Sequence, residues 1–160
     1  MDSVALDYRN PRTLVVTAIF IAIVVTVGAV IGLNTGPDNW YAALNKPPFN
    51  PPTWSFAPVW FTLYVLIGIA GARTYLRDAS SPLMVLWVVQ MLLNWAWSPT
   101  WFSLHLIWPA FAIIITLLVL IVGFIVAQWQ RDRIAAALFI PYAAWVAFAS
   151  TLNFSIGLLN

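Results

Sequence analysis

Five apolar runs, near residues 14–33, 57–76, 83–102, 108–128 and 134–152, occupy most of this 160-residue chain and are separated by short polar breaks. Each approaches the roughly 20 residues that a helix needs to cross the hydrocarbon core of a bilayer. Within lipid the backbone must satisfy its own hydrogen bonds, which a continuous apolar run does as a helix. The expected fold is therefore an all-α integral membrane protein, a single domain over 1–160 built as a five-transmembrane-helix bundle. Composition agrees: 62% of residues are hydrophobic and 8% charged, against roughly a quarter charged in a soluble domain. No separate soluble domain fits. The second run has the shortest uninterrupted core, 57–72, which Tyr75 and Leu76 extend. The first run is longer than a signal-peptide core and lacks a small-residue cleavage pattern, so it is read as retained after the polar segment 1–12.

The same inventory excludes several kinds of chemistry. There is no cysteine and no glutamate, so disulfides, thiolate metal sites and glutamate relays are absent. Asp2, Asp7, Asp38, Asp78 and Asp132 all fall outside the expected spans, which argues against pumps and ion-coupled carriers. His105 lies in a short connection without a second metal ligand nearby, so it reads as an interfacial residue rather than an axial haem ligand; no metal site and no resident cofactor are expected. A net charge of +2 without Lys/Arg clusters gives no footprint for nucleic acid. No 20- to 50-residue repeat is visible, and an odd helix count disfavours two inverted halves.

The breaks carry helix-stop signals: Asn34, Gly36 and Pro37 after the first run, Arg77, Asp78 and Pro82 after the second, and 130–133 after the fourth. The longest connection, 34–56, holds Pro37, Pro47, Pro48, Pro51 and Pro52 among Trp40, Tyr41, Phe49 and Trp54. Proline fixes φ and holds its preceding residue extended, so this loop is stiff. It reads either as a solvated linker with interfacial aromatic anchors or, as its stiffness favours, as a lid over the helix ends, with a short helix over 38–45. Alternating sides along five spans gathers Arg9, Arg12, Arg73, Arg77, Arg131 and Arg133 on one side, leaving Lys46 on the other. In an inner membrane this puts the N-terminus in the cytoplasm.

What remains is aromatic surface and a few neutral polar groups. On the third run Gln90, Asn94, Trp97 and Trp101 share one helical face, and on the fifth Tyr142, Trp145, Ala149 and Asn153 do the same. Amides facing lipid are costly, so Gln90 and Asn94 should point inward, for interhelical bonding or for orienting a ligand; both readings stay open. Trp60, Asn94, Trp97 and Trp145 lie where they can line one cavity beneath the loop, suited to a flat apolar ligand. Gly28 and Gly32 form a GxxxG, a weak signal of close packing or dimerisation.

At this point the chain resembles the tryptophan-rich sensory protein or translocator protein family, TspO/MBR, once called peripheral benzodiazepine receptors. The residues that carry it are W-Y-A-A-L-N-K-P-P-F-N-P-P-T-W from Trp40 to Trp54, P-V-W-F-T-L-Y from Pro58 to Tyr64, Q-M-L-L-N-W-A-W-S-P from Gln90 to Pro99, and P-Y-A-A-W-V-A-F-A-S-T-L-N from Pro141 to Asn153. The resemblance covers nearly the whole chain. It implies a five-helix bundle, homodimers, and a pocket beneath the first loop for porphyrins, sterols in animal members, and aromatic drugs. Carried over by position, Phe56, Ala57, Trp60, Asn94, Trp108, Trp145, Ala149 and Leu152 match its ligand-binding positions. Trp60 and Trp145 match two indoles implicated in light-dependent porphyrin breakdown, which would make them catalytic. The animal sterol pattern after the last helix needs Tyr and then Lys or Arg, whereas this chain continues through Leu152, Asn153 and Phe154 to Asn160; sterol binding by that motif is not expected, and a bacterial membrane is the easier setting. The expected function is a membrane receptor or sensor for porphyrins, with light-dependent porphyrin degradation and facilitated tetrapyrrole transport as alternatives.

Overall fold

The computed structural model describes residue 6 and residues 8–160; Asp2 and Asp7 lie outside them. Every regular element among the described residues is helical: α1 (Pro11–Asn34), α2 (Asn39–Ala43), α3 (Phe56–Arg77), α4 (Pro82–Ser98), α5 (Ile107–Gln128) and α6 (Arg133–Leu159). A 3₁₀ turn, Thr53–Ser55, leads into α3, and a π-helical turn, Pro99–Ser103, continues α4. Three of the long helices, α1, α4 and α6, start at side-chain caps. Asn10 accepts from the Arg12 N–H, Ser81 from Met84, and Asp132 from Ile134 and Ala135. Pro11 and Pro82 stand in the first turn, where a missing N–H costs nothing.

Two departures from five similar helices have local causes. Four segments, Pro11–Asn34, Thr53–Arg77, Ile107–Gln128 and Arg133–Leu159, are long and apolar enough to cross a membrane. Regular α4 stops after 17 residues, short of the expected 83–102. Pro99 has no N–H to offer the preceding turn, and the ladder widens so that Leu104 N–H donates to the Pro99 carbonyl at 2.9 Å. At the other extreme α6 runs to Leu159, beyond the expected residue 152, because Asn153 is bonded inside the bundle: its Nδ2 donates to the Ile107 carbonyl at 3.1 Å. The short helix expected over 38–45 covers Asn39–Ala43.

The helices pack α1 on α3, α3 on α6, α6 on α5 and α5 on α4. Val24, Ile67, Ile121, Phe124, Phe139 and Tyr142 are fully buried at the centre, with Phe124 and Phe139 rings 4.2 Å apart. Close approach of α1 to α3 depends on Gly28, where a Cβ would overlap the Tyr64 ring. One end of the bundle is tied by a charged clamp. Arg73 reaches Asp132 through Nε and Nη2, both at 2.9 Å, Arg77 Nε adds a third bond at 2.9 Å, and Arg73 Nη1 donates to the Tyr8 hydroxyl at 2.7 Å. The opposite end is tied by His105 to Asp38 at 3.1 Å and by Asn45 N–H to the Asn160 side chain at 3.0 Å. Since α4 starts just after Arg77 and its π turn ends beside His105, the segment 82–103 runs the full length of the bundle.

Loop 34–56 packs onto the second end. Tyr41 is 4% exposed and joins Trp101, Ala110 and Ile156 in a small apolar cluster that Trp40 and Leu44 cover. The Trp40 ring stacks on His105 at 4.3 Å. Trp54, by contrast, is 75% exposed.

Candidate functional site

A cavity of about 510 Å³ opens between α1, α3 and α4 below this loop, within the size range of small-molecule sites. Val25, Gly28, Ala29 and Gly32 form the α1 wall; Phe56, Ala57, Trp60, Phe61 and Tyr64 the α3 wall; Asn94, Trp95, Trp97 and Ser98 the α4 wall. Gly36, Pro37 and Thr53 from the loop close its end, and no charged side chain lines it. The α3 set follows the i, i+3/i+4 rule from a single helical stripe. Gly32 meets no neighbouring atom within 4 Å of its would-be Cβ, so it leaves the α1 wall open.

The aromatic side is held by contacts within α3 and from α3 to α6. Trp60 packs at 5.3 Å against Tyr64 and edge-on at 6.3 Å against Tyr142, and Phe56 meets Trp145 edge-on at 5.9 Å. Beneath them runs a buried hydrogen-bond chain. The Tyr64 hydroxyl donates to Asn94 Oδ1 at 3.2 Å, Asn94 Nδ2 donates to the Tyr142 hydroxyl at 2.8 Å, and Tyr142 donates to Gln90 Oε1 at 3.1 Å. Gln90 Nε2 ends the chain on the Trp87 carbonyl at 3.0 Å. Both amides of α4 thus bond across to α3 and α6, while Asn94 also reaches the cavity wall. Trp97 Nε1–H donates to Asn153 Oδ1 at 3.2 Å, and the Thr35 and Ser98 hydroxyls meet at 2.7 Å, joining the end of α1 to α4 at the rim.

Of the eight positions singled out in the sequence, Phe56, Ala57, Trp60 and Asn94 line this cavity. The other four do not. Trp145 lies in a separate, shallow groove with Pro58, Val59, Thr62, Pro141 and Phe148, on the other side of α3. Ala149 and Leu152 are buried in the α6 packing, 8% and 6% exposed, and Trp108 is 50% exposed against Phe111 and Phe154. Sequence reasoning passed over Trp95, Ser98 and Thr35 as site residues. Ser98 was accessible as the i+4 neighbour of Asn94, and the GxxxG could have been read as a wall; nothing in the sequence distinguished Trp95 from the other tryptophans.

These observations define a polytopic helical membrane protein with an uncharged, tryptophan-lined cavity under a packed loop. The sequence model of the TspO/MBR family matches residues 20–159, and the chain belongs to that family. It is 34% identical over 152 residues to protein CrtK of Rhodobacter capsulatus, covering 92% of this chain and 94% of that one. It is 32% identical over 145 residues to the tryptophan-rich sensory protein of Cereibacter sphaeroides, covering 89% and 92%. The translocator protein of Sus scrofa is 36% identical over 124 residues, covering 74% and 73%. The resemblance drawn from the four motifs therefore holds, with relatives in bacteria and in animals.

Proposed function

We propose that this protein is a membrane sensor or receptor that binds porphyrins, and flat aromatic molecules like them, in the cavity between α1, α3 and α4. The observation that carries this reading is the cavity itself: uncharged, of ligand size, and walled by Trp60, Trp95, Trp97 and Tyr64 with Asn94 behind them. A flat conjugated ligand gains apolar burial and ring contact there without needing a charge. The name of the Cereibacter sphaeroides relative, tryptophan-rich sensory protein, matched over 89% of this chain, agrees with sensing. In this reading the segment 82–103 serves as a fifth span, because the 17 residues of α4 rise about 26 Å at 1.5 Å each and the π turn carries the chain further. Loop 34–56 is the lid.

Protoporphyrin titrated against the protein in lipid nanodiscs, followed by tryptophan quenching, tests the assignment. Trp60→Ala removes the largest ring of the α3 wall and should weaken binding roughly 10- to 100-fold, the equivalent of losing a buried large side chain at about 1.5–3 kcal/mol. Unchanged affinity would sink it. A light-driven breakdown that needs Trp60 and Trp145 on one ligand finds less support, since Trp145 lines the separate groove with Pro141 and Phe148.

A further inference from the structure

Among the described residues three buried side-chain polar atoms have no hydrogen-bond partner: Trp95 Nε1, Trp145 Nε1 and Gln128 Oε1. Buried polar groups in folded proteins are paired in about nine cases of ten or more, so each of these calls for a reason. Only one of the three residues, Trp95, lines the uncharged cavity. Most other polar side chains of that wall are already engaged with the protein; the Trp60 indole and the Thr53 hydroxyl hold no partner, but Trp60 Nε1 is not a buried atom and Thr53 is exposed. Tyr64 donates to Asn94, Asn94 to Tyr142, and Trp97 to Asn153. The Thr35 hydroxyl is bonded to Ser98 and to the Ile31 carbonyl.

We propose that the Trp95 indole N–H is the specificity-determining donor of this cavity, receiving an acceptor oxygen of a carbonyl or carboxyl group carried by a flat apolar ligand. The proposal rests on the binding reading above and adds to it which ligand group is recognised, and by which atom. Indole offers a donor and no acceptor, so it discriminates in favour of ligands with an acceptor. Trp95 Nε1 is buried and holds no protein partner, so turning the ring to present it to an entering ligand breaks no existing hydrogen bond. In apolar surroundings, where water does not compete, such a bond is stronger than at a surface. With no acidic side chain in the wall, a cationic ligand finds no counter-charge there.

The experiment compares protoporphyrin, which carries two carboxyl groups, with etioporphyrin, an alkyl porphyrin that carries none. Both are titrated against wild type and Trp95→Phe in nanodiscs, with empty nanodiscs subtracted. Trp95→Phe keeps a flat ring and removes only the N–H. Wild type should prefer protoporphyrin, and Trp95→Phe should lose about tenfold of that preference while binding etioporphyrin as before, the size expected for one hydrogen bond. If both porphyrins bind wild type and the preference survives in Trp95→Phe, or wild type shows no preference, the Trp95 proposal is overturned and the cavity assignment stands. If neither porphyrin binds wild type, the binding reading itself falls. Should Trp95→Phe not purify folded, wild type with ¹⁵N-labelled indoles answers instead: an indole N–H resonance that moves with protoporphyrin and not with etioporphyrin is expected, and its absence overturns the proposal.

Discussion

Gly28 shows how one residue sets both packing and cavity. Its missing Cβ is what lets the Tyr64 ring lie against α1, and Tyr64 in turn supports Trp60 and bonds Asn94. Gly28→Ala should therefore push the ring aside, weaken the Tyr64–Asn94 bond and reshape the cavity. An overpacked contact of this kind costs about 1–3 kcal/mol. Thermal unfolding in nanodiscs should report a lower midpoint and porphyrin titration a weaker affinity, whereas Gly32→Ala, with open space around it, should leave the midpoint unchanged. Equal effects of the two substitutions would refute this account. The sequence did not distinguish these glycines, since GxxxG specifies spacing and not which member carries a neighbour. The same limit applies to the tryptophans. Trp60 and Trp145 read alike in the sequence, each beside a tyrosine on an apolar helix, and only packing of α3 between the two sites separates them.

Among the elements, the all-helical membrane class and the four long spans were legible because hydropathy over 20 residues averages out local detail. Their ends were less so. Asn153 looks like a helix stop, yet its hydrogen bonds to Trp97 and to the Ile107 carbonyl carry α6 onward to Leu159. Pro99 falls inside the run expected as one helix over 83–102, yet regular α-helix ends before it and the chain continues through a π turn. That turn has a structural consequence. It delivers Trp101, 2% exposed, into the cluster that seats α2, edge-on to Trp40 at 5.9 Å. Pro99→Ala restores an N–H and favours regular i→i−4 bonding through this stretch. The expected outcome is rotation of Trp101 out of register and a looser loop. Limited proteolysis within 39–55 should run several-fold faster than in wild type; an unaltered cleavage rate would show that the π turn is not what seats the loop.

At the scale of the molecule, the loop end and the clamp end are held by different physics. The loop end relies on aromatic packing and neutral hydrogen bonds, with Asp38–His105 exposed to solvent on both partners, so that pair contributes little. The clamp end concentrates charge in an apolar setting: Arg73 and Asp132 side chains are 5% and 2% exposed, and Asp132 gathers α3 to the start of α6 while Arg73 reaches Tyr8. Burial pushes the Asp132 carboxyl up, but hydrogen bonds from Arg73, the Ala135 N–H and Arg77, together with the Arg73 charge, outweigh it and hold the group below the usual carboxylate range. A carboxylate depressed in the folded state stabilises fully above its unfolded value, near 3.9, and loses that contribution as pH falls through the folded value. The clamp therefore works at neutral pH and releases only below about pH 4, where wild type should show an acid limb in its unfolding midpoint. Asp132→Asn leaves Arg73 buried without a counter-charge, a loss of about 3–5 kcal/mol at pH 7. Its unfolding midpoint should be low at pH 7 and change less between pH 5 and 3 than that of wild type. An acid limb of equal depth in both proteins would place the titrating group elsewhere and remove Asp132 as the joint between the two halves of the bundle.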